Sequence, residues 1–352
     1  MGQTLSEPVT EKTTTSEAGS KYFYGCSQMQ GWRLTMEDAH TALLKLGDTG
    51  ASFFAVFDGH GGSTIAQYTG QELHKKVSES KHFENKKYEE ALKEAFMGLD
   101  KSLSEDPNFV YDPSGCTAVV ALFTEDDHIL VANAGDSRCI ISIDGVAKPL
   151  SEDHKPTGKE EMERITNAGG FVEFGRVNGN LALSRAIGDF EFKQNKQLPL
   201  EKQAVTSNPD IKDHEITKND EFLVLACDGI WDCMSNQEVV EYVRSGIAQD
   251  KTLDKICESI MDNCLADDHT TNGLGFDNMS IIIVAILNGR TEEKWYQWMK
   301  EKGSGNDSNK TTPANALNAT NNNNIPDSTP SKLTPSTSPI TTTATTAPPS
   351  KE

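Results

Sequence analysis

The chain has 352 residues, with 53 acidic against 33 basic side chains and a formal net charge of −20. A nucleic-acid binder needs a basic footprint and a polybasic membrane anchor needs clustered Lys and Arg, so this balance argues against both. The length suffices for one large domain or two small ones with a sizeable core.

Residues 1–21 are polar and rich in Thr, Ser and Glu, and are expected to form a flexible arm. The start, Met1-Gly2-Gln3-Thr4-Leu5-Ser6, fits the N-myristoylation pattern. One acyl chain there would give only weak, transient membrane association. From 22 to 290 the chain reads as a globular domain. Apolar, β-rich runs at 52–57, 117–123, 129–133, 139–143, 222–227 and 279–287 predict strands. Helical spacing predicts helices over 63–77, 88–103, 158–168 and 253–265. Ser235-Asn236-Gln237-Glu238 is a capping-box pattern ahead of a further helix. Strand runs joined by short turns such as Asp144-Gly145, with helices between the runs, predict mixed or antiparallel sheets covered by helices.

Residues 291–302 have the pattern of a short helix with Trp295, Trp298 and Met299 on one face. Beyond it, 33 of the 50 residues in 303–352 are Ser, Thr, Asn or Pro. Such a segment cannot bury enough apolar surface to offset its ordering entropy, so it is expected to be a disordered tail. It contains Thr312-Pro313, Thr329-Pro330, Thr334-Pro335 and Ser338-Pro339, a dipeptide type common in such tails. No apolar stretch is long enough to span a membrane. The seven cysteines include no Cys-x-x-Cys and several lie in apolar runs, which predicts reduced core thiols.

Five acidic segments, far apart in the chain, carry the chemical signal. They are Glu37-Asp38, Asp58-Gly59-His60-Gly61-Gly62, Gly135-Asp136-Ser137-Arg138, Cys227-Asp228-Gly229-Ile230-Trp231-Asp232 and Phe276-Asp277-Asn278. Most place a carboxylate where a strand is expected to end or begin. If they meet, they form an all-oxygen cage suited to Mg²⁺ or Mn²⁺ rather than Zn²⁺, which prefers Cys and His. Two such ions can share a bridging carboxylate, for which Asp58 is the natural candidate. A lone Asp-Gly is more often a turn, but the pattern recurs at Asp228-Gly229. His60, two residues from Asp58, suits proton transfer at neutral pH. His154, in Asp153-His154-Lys155-Pro156, reads as a structural turn. Arg33, four residues before Glu37, fits either phosphate binding or a surface salt bridge. There is no P-loop, no dinucleotide fingerprint, and no Cys followed by Arg at the spacing of a cysteine-nucleophile phosphatase.

The ordered set of motifs resembles the type 2C, metal-dependent serine/threonine protein phosphatases, the PPM family. It runs Gln30-Gly31-Trp32-Arg33-Leu34-Thr35-Met36-Glu37-Asp38, Phe57-Asp58-Gly59-His60-Gly61-Gly62, Ser114-Gly115-Cys116-Thr117-Ala118, Asn133-Ala134-Gly135-Asp136-Ser137-Arg138, Leu183-Ser184-Arg185-Ala186-Ile187-Gly188-Asp189, Cys227-Asp228-Gly229-Ile230-Trp231-Asp232 and Asp277-Asn278-Met279-Ser280. The resemblance implies an α+β fold: a central β-sandwich of two mostly antiparallel sheets flanked by helices on both faces. It implies two Mg²⁺ or Mn²⁺ ions, with a weaker third in some members. Asp58 would bridge the two ions, and the Gly59 carbonyl would bind one of them. Asp228 and Asp277 would bind the other ion. Glu37 and Asp38 would act largely through water, and Asp136 and Asp232 match the third site. Arg33 would bind the substrate phosphate and His60 would protonate the leaving oxygen. A metal-bridging hydroxide would attack phosphorus, with no phospho-enzyme. Arg185 and the segment after Asp189 match the region near the family's flap.

The implied partners are phosphoproteins, with kinases phosphorylated on an activation-loop threonine as one class, and the implied role is negative regulation of kinase signalling. A monomer in the cytoplasm or nucleus is expected. Two alternatives stand beside this reading. A catalytically dead scaffold would lack at least one metal carboxylate, and none is lost here. A two-metal hydrolase of small phosphoesters or nucleotides is separated from it only by the family resemblance.

Overall fold

The computed structural model describes residues 4–267 and 273–305. In chain order its first elements are β1 (Thr4–Ala18), β2 (Tyr22–Arg33), β3 (Ala39–Leu43), β4 (Ser52–Phe57), β5 (Gly59–His60), α1 (Thr64–Glu79), α2 (Lys81–Glu84), α3 (Tyr88–Glu105), β6 (Gly115–Cys116), β7 (Ala118–Phe123), β8 (His128–Ala134), β9 (Arg138–Ile143) and β10 (Val146–Pro149). They are followed by α4 (Lys159–Asn167), β11 (Val172–Glu173), β12 (Arg176–Val177), β13 (Ile187–Gly188), β14 (Asp210–Glu215), β15 (Asp220–Ala226), α5 (Asp228–Trp231), α6 (Asn236–Ala248), α7 (Leu253–Cys264), β16 (Met279–Ile286) and α8 (Glu292–Gly305).

Two antiparallel sheets carry the body, in the orders β1-β2-β16-β15-β9-β10 and β14-β8-β7-β4-β3. Side-chain alternation explains the layers. In β4, Phe54 and Val56 enter a core between the sheets with Tyr24, Leu223 and Val284. Their neighbours Phe53, Ala55 and Phe57 enter a second core with Leu73 of α1 and Phe96 of α3. In β15, Leu223 and Leu225 face the first core, while Phe222 and Val224 pack with Val240 of α6 and Ile256 of α7. Strands buried on both faces read as unbroken apolar runs. The result is the expected four-layer α-β-β-α sandwich. Helix α6 starts with the reciprocal Ser235–Glu238 capping box, as its sequence predicts.

Within the segment expected to be a flexible arm (1–21), Thr4–Ala18 is instead an edge strand. β1 pairs with β2 from Thr13↔Gln28 to Ala18↔Phe23, with irregularities nearer its start. Thr14 Oγ1 lies 3.0 Å from Ser27 Oγ. The run Thr13-Thr14-Thr15 is β-branched, and an edge strand facing solvent can be polar without losing its ladder. Gly2 lies outside the described residues.

The helix expected over 291–302 is present as α8 and joins the body. Trp295 is fully buried, edge-on to Phe23 at 5.1 Å between ring centroids, and donates to the Glu221 carbonyl at 3.2 Å. The folded body therefore extends past residue 290. The tail expected over 303–352 lies outside the described residues beyond Gly305.

Strand register sets where the site forms. The end of β2 meets the start of β16 (Met29↔Met279), and the end of β15 meets the starts of β16 and β9 (Ala226↔Ile281, Ala226↔Arg138). In the second sheet the end of β4 meets the start of β3 (Phe57↔Ala39), and the start of β7 meets the end of β8 (Ala118↔Ala134). Arg33, Asp38, Asp58, Asp136, Asp228 and Asp277 all follow or precede those strand ends, so antiparallel pairing delivers them to one end of the sandwich. A small third sheet, β13-β6-β5, closes that end beside His60.

Candidate active site

β4 stops at Asp58, and the glycines after it turn the chain tightly. A Cβ on Gly59 would overlap the Glu37 carbonyl oxygen, and Gly61 and Gly62 have φ of 68° and 132°. Only glycine permits this approach and these turns without strain. The Asp58 backbone is pinned from both sides. Its N–H donates to Thr117 Oγ1 at 3.1 Å, and its carbonyl accepts from Thr117 N–H at 2.9 Å.

Around this turn lies a cavity of about 360 Å³, lined by Arg33, Glu37, Asp58, Gly59, His60, Asp136, Asp228 and Asp277. Arg176 and Leu183, from the segment between α4 and β14, line its other side. Eight of the ten site residues read from the sequence thus share one cavity. Asp38 sits behind it, buried, where Ser280 Oγ donates to its carboxylate at 2.7 Å. Asp232 lies one helical turn after Asp228, its N–H donating to the Asp228 carbonyl at 2.8 Å, and is exposed.

Electrostatics shape the donor set. Burial, then repulsion from Asp228, Asp38 and Asp277, hold the Asp58 carboxyl well above the usual range. Burial, then Asp136, Asp277 and Asp232, do the same to Asp228. Burial pushes Asp38 up to about 7, against the pull of its Ser280 hydrogen bond. Asp136, by contrast, is buried against the Lys155 ammonium, and Asp277 pairs with Arg33. The salt-bridge alternative read locally for Arg33 therefore has a definite partner, Asp277. Glu37 is held by protein donors: Thr35 Oγ1 at 2.8 Å and the Gly62 N–H at 3.2 Å.

The donors fit a hard divalent ion. Asp38, Asp58 and Cys227 each place a potential ligand atom within 4.8 Å of the others. Burial, then the nearby carboxylates, raise the Cys227 thiol well above its ordinary value, so it stays neutral. Its sulfur accepts from Ser280 N–H at 3.1 Å and donates weakly to the Asn278 carbonyl at 3.5 Å. The carboxylates, not the sulfur, are the ligands such a cluster offers to Mg²⁺ or Mn²⁺.

Three contributors escape a reading of the sequence by motif chemistry alone. Asn278 braces the site: its Oδ1 accepts from Glu37 N–H at 2.9 Å, and its Nδ2 donates to the Gln30 and Thr35 carbonyls at 2.8 and 3.0 Å. Thr117 pins Asp58. Asp189 binds His60 through Nε2 at 2.7 Å. Burial opposes a charge on His60, but the Asp189 carboxylate and its hydrogen bond outweigh it and raise the imidazole pKa. Asp189 is buried and has φ of 51°, in the left-handed region. In sequence it closes the run Leu183-Ser184-Arg185-Ala186-Ile187-Gly188-Asp189, which gives it no chemical role. His154 is structural, as its turn-like surroundings suggest: its Nδ1 accepts from Gly135 N–H at 3.2 Å and its Nε2 bonds Asp210 at 3.0 Å.

The model of the family described as "Protein phosphatase 2C" matches residues 22–273. The chain is 53% identical over 316 residues to Protein phosphatase 2C homolog 2 of Hypocrea jecorina, covering 87% of this chain and 72% of that protein. It is 52% identical over 307 residues to Protein phosphatase 2C homolog 2 of Schizosaccharomyces pombe, covering 86% and 83%. Among solved structures, a phosphatase from Toxoplasma gondii is similar, with a TM-score of 0.70 and 26% identity over 80% of this chain and 97% of that one. The chain belongs to the protein phosphatase 2C family of metal-dependent enzymes and is a protein serine/threonine phosphatase.

Proposed function

We propose that this cavity hydrolyses phosphoserine and phosphothreonine on protein substrates with two Mg²⁺ or Mn²⁺ ions. The observation that carries the reading is the convergence of Glu37, Asp58, Asp136, Asp228 and Asp277 on one cavity, with Arg33 and Lys155 the cations paired to its carboxylates. Asp58, the Gly59 carbonyl, Asp228 and Asp277 would hold the two ions. Glu37 and Asp38 would support them through water. Asp136 and Asp232 would hold a weaker third ion. When bound, the ions supply an activated water and positive charge opposite the phosphoryl oxygens.

The chain's own residues then have separate tasks. Arg33, half-exposed and lining the cavity, would bind the substrate phosphate through its guanidinium fork, and Asp277 pairs with it. Asp189 occupies His60 Nε2, which leaves Nδ1 as the nitrogen that gives a proton to the leaving Ser or Thr oxygen. The reading needs no phospho-enzyme; in keeping with it, no cysteine is among the described residues lining the cavity, and the Thr117 hydroxyl is engaged by Asp58 N–H and Ser137. Kinases carrying an activation-loop phosphothreonine, met in the cytoplasm or nucleus, are the substrates we carry forward from the family resemblance. The enzyme would then act as a negative regulator of kinase signalling.

The test is phosphate release from a phosphothreonine peptide by purified protein, with Mn²⁺ or Mg²⁺ against chelator, for wild type and Asp228→Ala. We expect metal-dependent release that falls at least a hundredfold in the variant, the scale of ~10²–10³ seen when charge stabilisation is removed from a site. No release by folded wild-type protein with either metal would sink the two-metal reading.

A further inference from the structure

The His60 ring is held through Nε2 by Asp189, and the turn that carries Asp189 is held by a buried ion pair between Asp100 of α3 and Lys193. Asp189 sits in a left-handed conformation directly after Gly188, whose φ is 84°. Isolated side-chain contacts do not maintain such a turn. Two hydrogen bonds do part of it: Asp189 N–H to the Ser114 carbonyl at 3.3 Å and Phe192 N–H to the Asp189 carbonyl at 3.0 Å. The remainder comes from Asp100 and Lys193, which are 3% and 4% exposed.

Asp100 lies on the core face of α3, among Phe96, Leu99 and Leu103. Its Oδ1 accepts from the Gly188 N–H at 2.8 Å. Both its oxygens accept from Lys193 Nζ at 2.8 Å, and the same ammonium donates to the Ala186 carbonyl at 2.8 Å. The pair therefore grips the chain on both sides of Asp189, at 186, 188 and 193. Burying two charges costs desolvation that apolar packing would avoid. What the pair supplies in return is direction, because besides binding each other the carboxylate accepts from the Gly188 N–H and the ammonium donates to the Ala186 carbonyl. On the far side, a Cβ on Gly115 would overlap Asp189 Oδ2, so the Asp189 carboxylate is confined from there as well.

We propose that Asp189 is a positioning residue for His60, and that the buried Asp100–Lys193 pair locks the turn that presents it. Asp189 aims the ring by holding Nε2; Asp100 and Lys193 keep the carboxylate in reach. None of the three touches substrate. The proposal rests on His60 serving as the proton donor to the leaving oxygen.

That role gives a readout that general loss of structure would not move. A phosphothreonine peptide has a poor alkoxide leaving group that needs the proton, whereas p-nitrophenyl phosphate has a good one that needs it much less. Four proteins are compared with wild type at saturating Mn²⁺: His60→Gln, Asp189→Asn, the charge-free swap Asp100→Asn/Lys193→Gln, and His60→Gln/Asp189→Asn. Thermal melting checks that each is folded. We expect kcat on the phosphothreonine peptide to fall roughly 10–100-fold in Asp189→Asn, a part of the ~10²–10⁴ that positioned proton transfer supplies. The fall on p-nitrophenyl phosphate should be at least tenfold smaller. The charge-free swap should show the same direction, and the His60/Asp189 double variant should lose no more than His60→Gln alone, as groups acting as a unit do.

Equal losses on both substrates in folded Asp189→Asn, or additive losses in the double variant, would overturn the proposal while leaving His60→Gln substrate-dependent. If His60→Gln itself loses both activities equally, the proton-donor reading fails and the positioning proposal with it. Should the charge-free swap not fold, Asp189→Asn and the double variant still decide the matter.

Discussion

Gly59 shows how narrow the tolerance is at a single residue. Its missing side chain lets the Glu37 backbone lie against the turn that carries Asp58. The obstructing atom would be a backbone carbonyl oxygen, which cannot swing away as a side chain can. Gly59→Ala should therefore cost roughly 1–3 kcal/mol in stability, the range for overpacking a filled site, and lower phosphate release at least tenfold. Urea unfolding and the phosphothreonine assay check both, and wild-type stability in the variant would contradict the packing argument. The sequence displays Asp58-Gly59 openly but does not reveal what presses on the glycine. Glu37 lies 22 positions earlier in the numbering and reaches it only through pairing of β3 with β4. The same holds for Arg33. Its carboxylate partner is Asp277, far along the chain.

At the scale of elements, α8 fastens the end of the described chain to the sandwich. Trp295 is enclosed by Phe23 and Tyr296 and donates to the Glu221 carbonyl. Trp298, one turn on, is partly buried and flanked by Arg290 at 4.0 Å and Lys302 at 4.3 Å. Cation–π contacts at such exposed places are worth about 0.5–1 kcal/mol each, whereas emptying a buried tryptophan site costs about 3–5 kcal/mol. Trp295→Ala should lower the denaturation free energy by that larger amount, and Trp298→Ala by clearly less. Equal effects in a urea titration would show that α8 is held by its charges rather than its core contact. β1 teaches the complementary lesson. Polar composition reads as an arm, yet Thr4–Ala18 pairs with β2 because a sheet edge asks for backbone partners and tolerates wet side chains. Helix α6 was legible because its capping box is a specific local motif; β1 was not, although its partner follows directly, because its polar side chains carry no apolar alternation.

Across the whole molecule, a buried charged network joins the segment after β10 to the sandwich. Arg185 binds Glu161 of α4 at 2.7 Å and Asp210 of β14 at 2.6 Å, and Arg164 adds a second guanidinium to Glu161 at 2.8 Å. Burial alone would raise the Glu161 carboxyl, but Arg185 and Arg164 outweigh it and hold it down to about 2. A carboxyl held below its ordinary value stabilises the fold above that value and loses its contribution as pH falls toward about 2. The wild type should therefore exceed Glu161→Gln by about 3 kcal/mol at neutral pH, from the depression of roughly two pKa units. The gap should close progressively below pH 4. Urea unfolding of both proteins at several pH values measures it, and a gap independent of pH would show that the ion pair contributes nothing through its charge.

From sequence alone, the strand and helix patterns determined mixed or antiparallel sheets covered by helices, the acidic segments the candidate carboxylates, and the ordered motifs the family, whose resemblance implied the sandwich. Each is a local pattern: an apolar run, a stop, an Asp. Only the tertiary structure decided that Asp189 would meet His60, that Asp100 and Lys193 would grip its turn, and that Arg33 would pair with Asp277. Those contacts join residues dozens to hundreds of positions apart. No local periodicity encodes them, because they arise from which strand ends the antiparallel register brings to the same end of the sandwich.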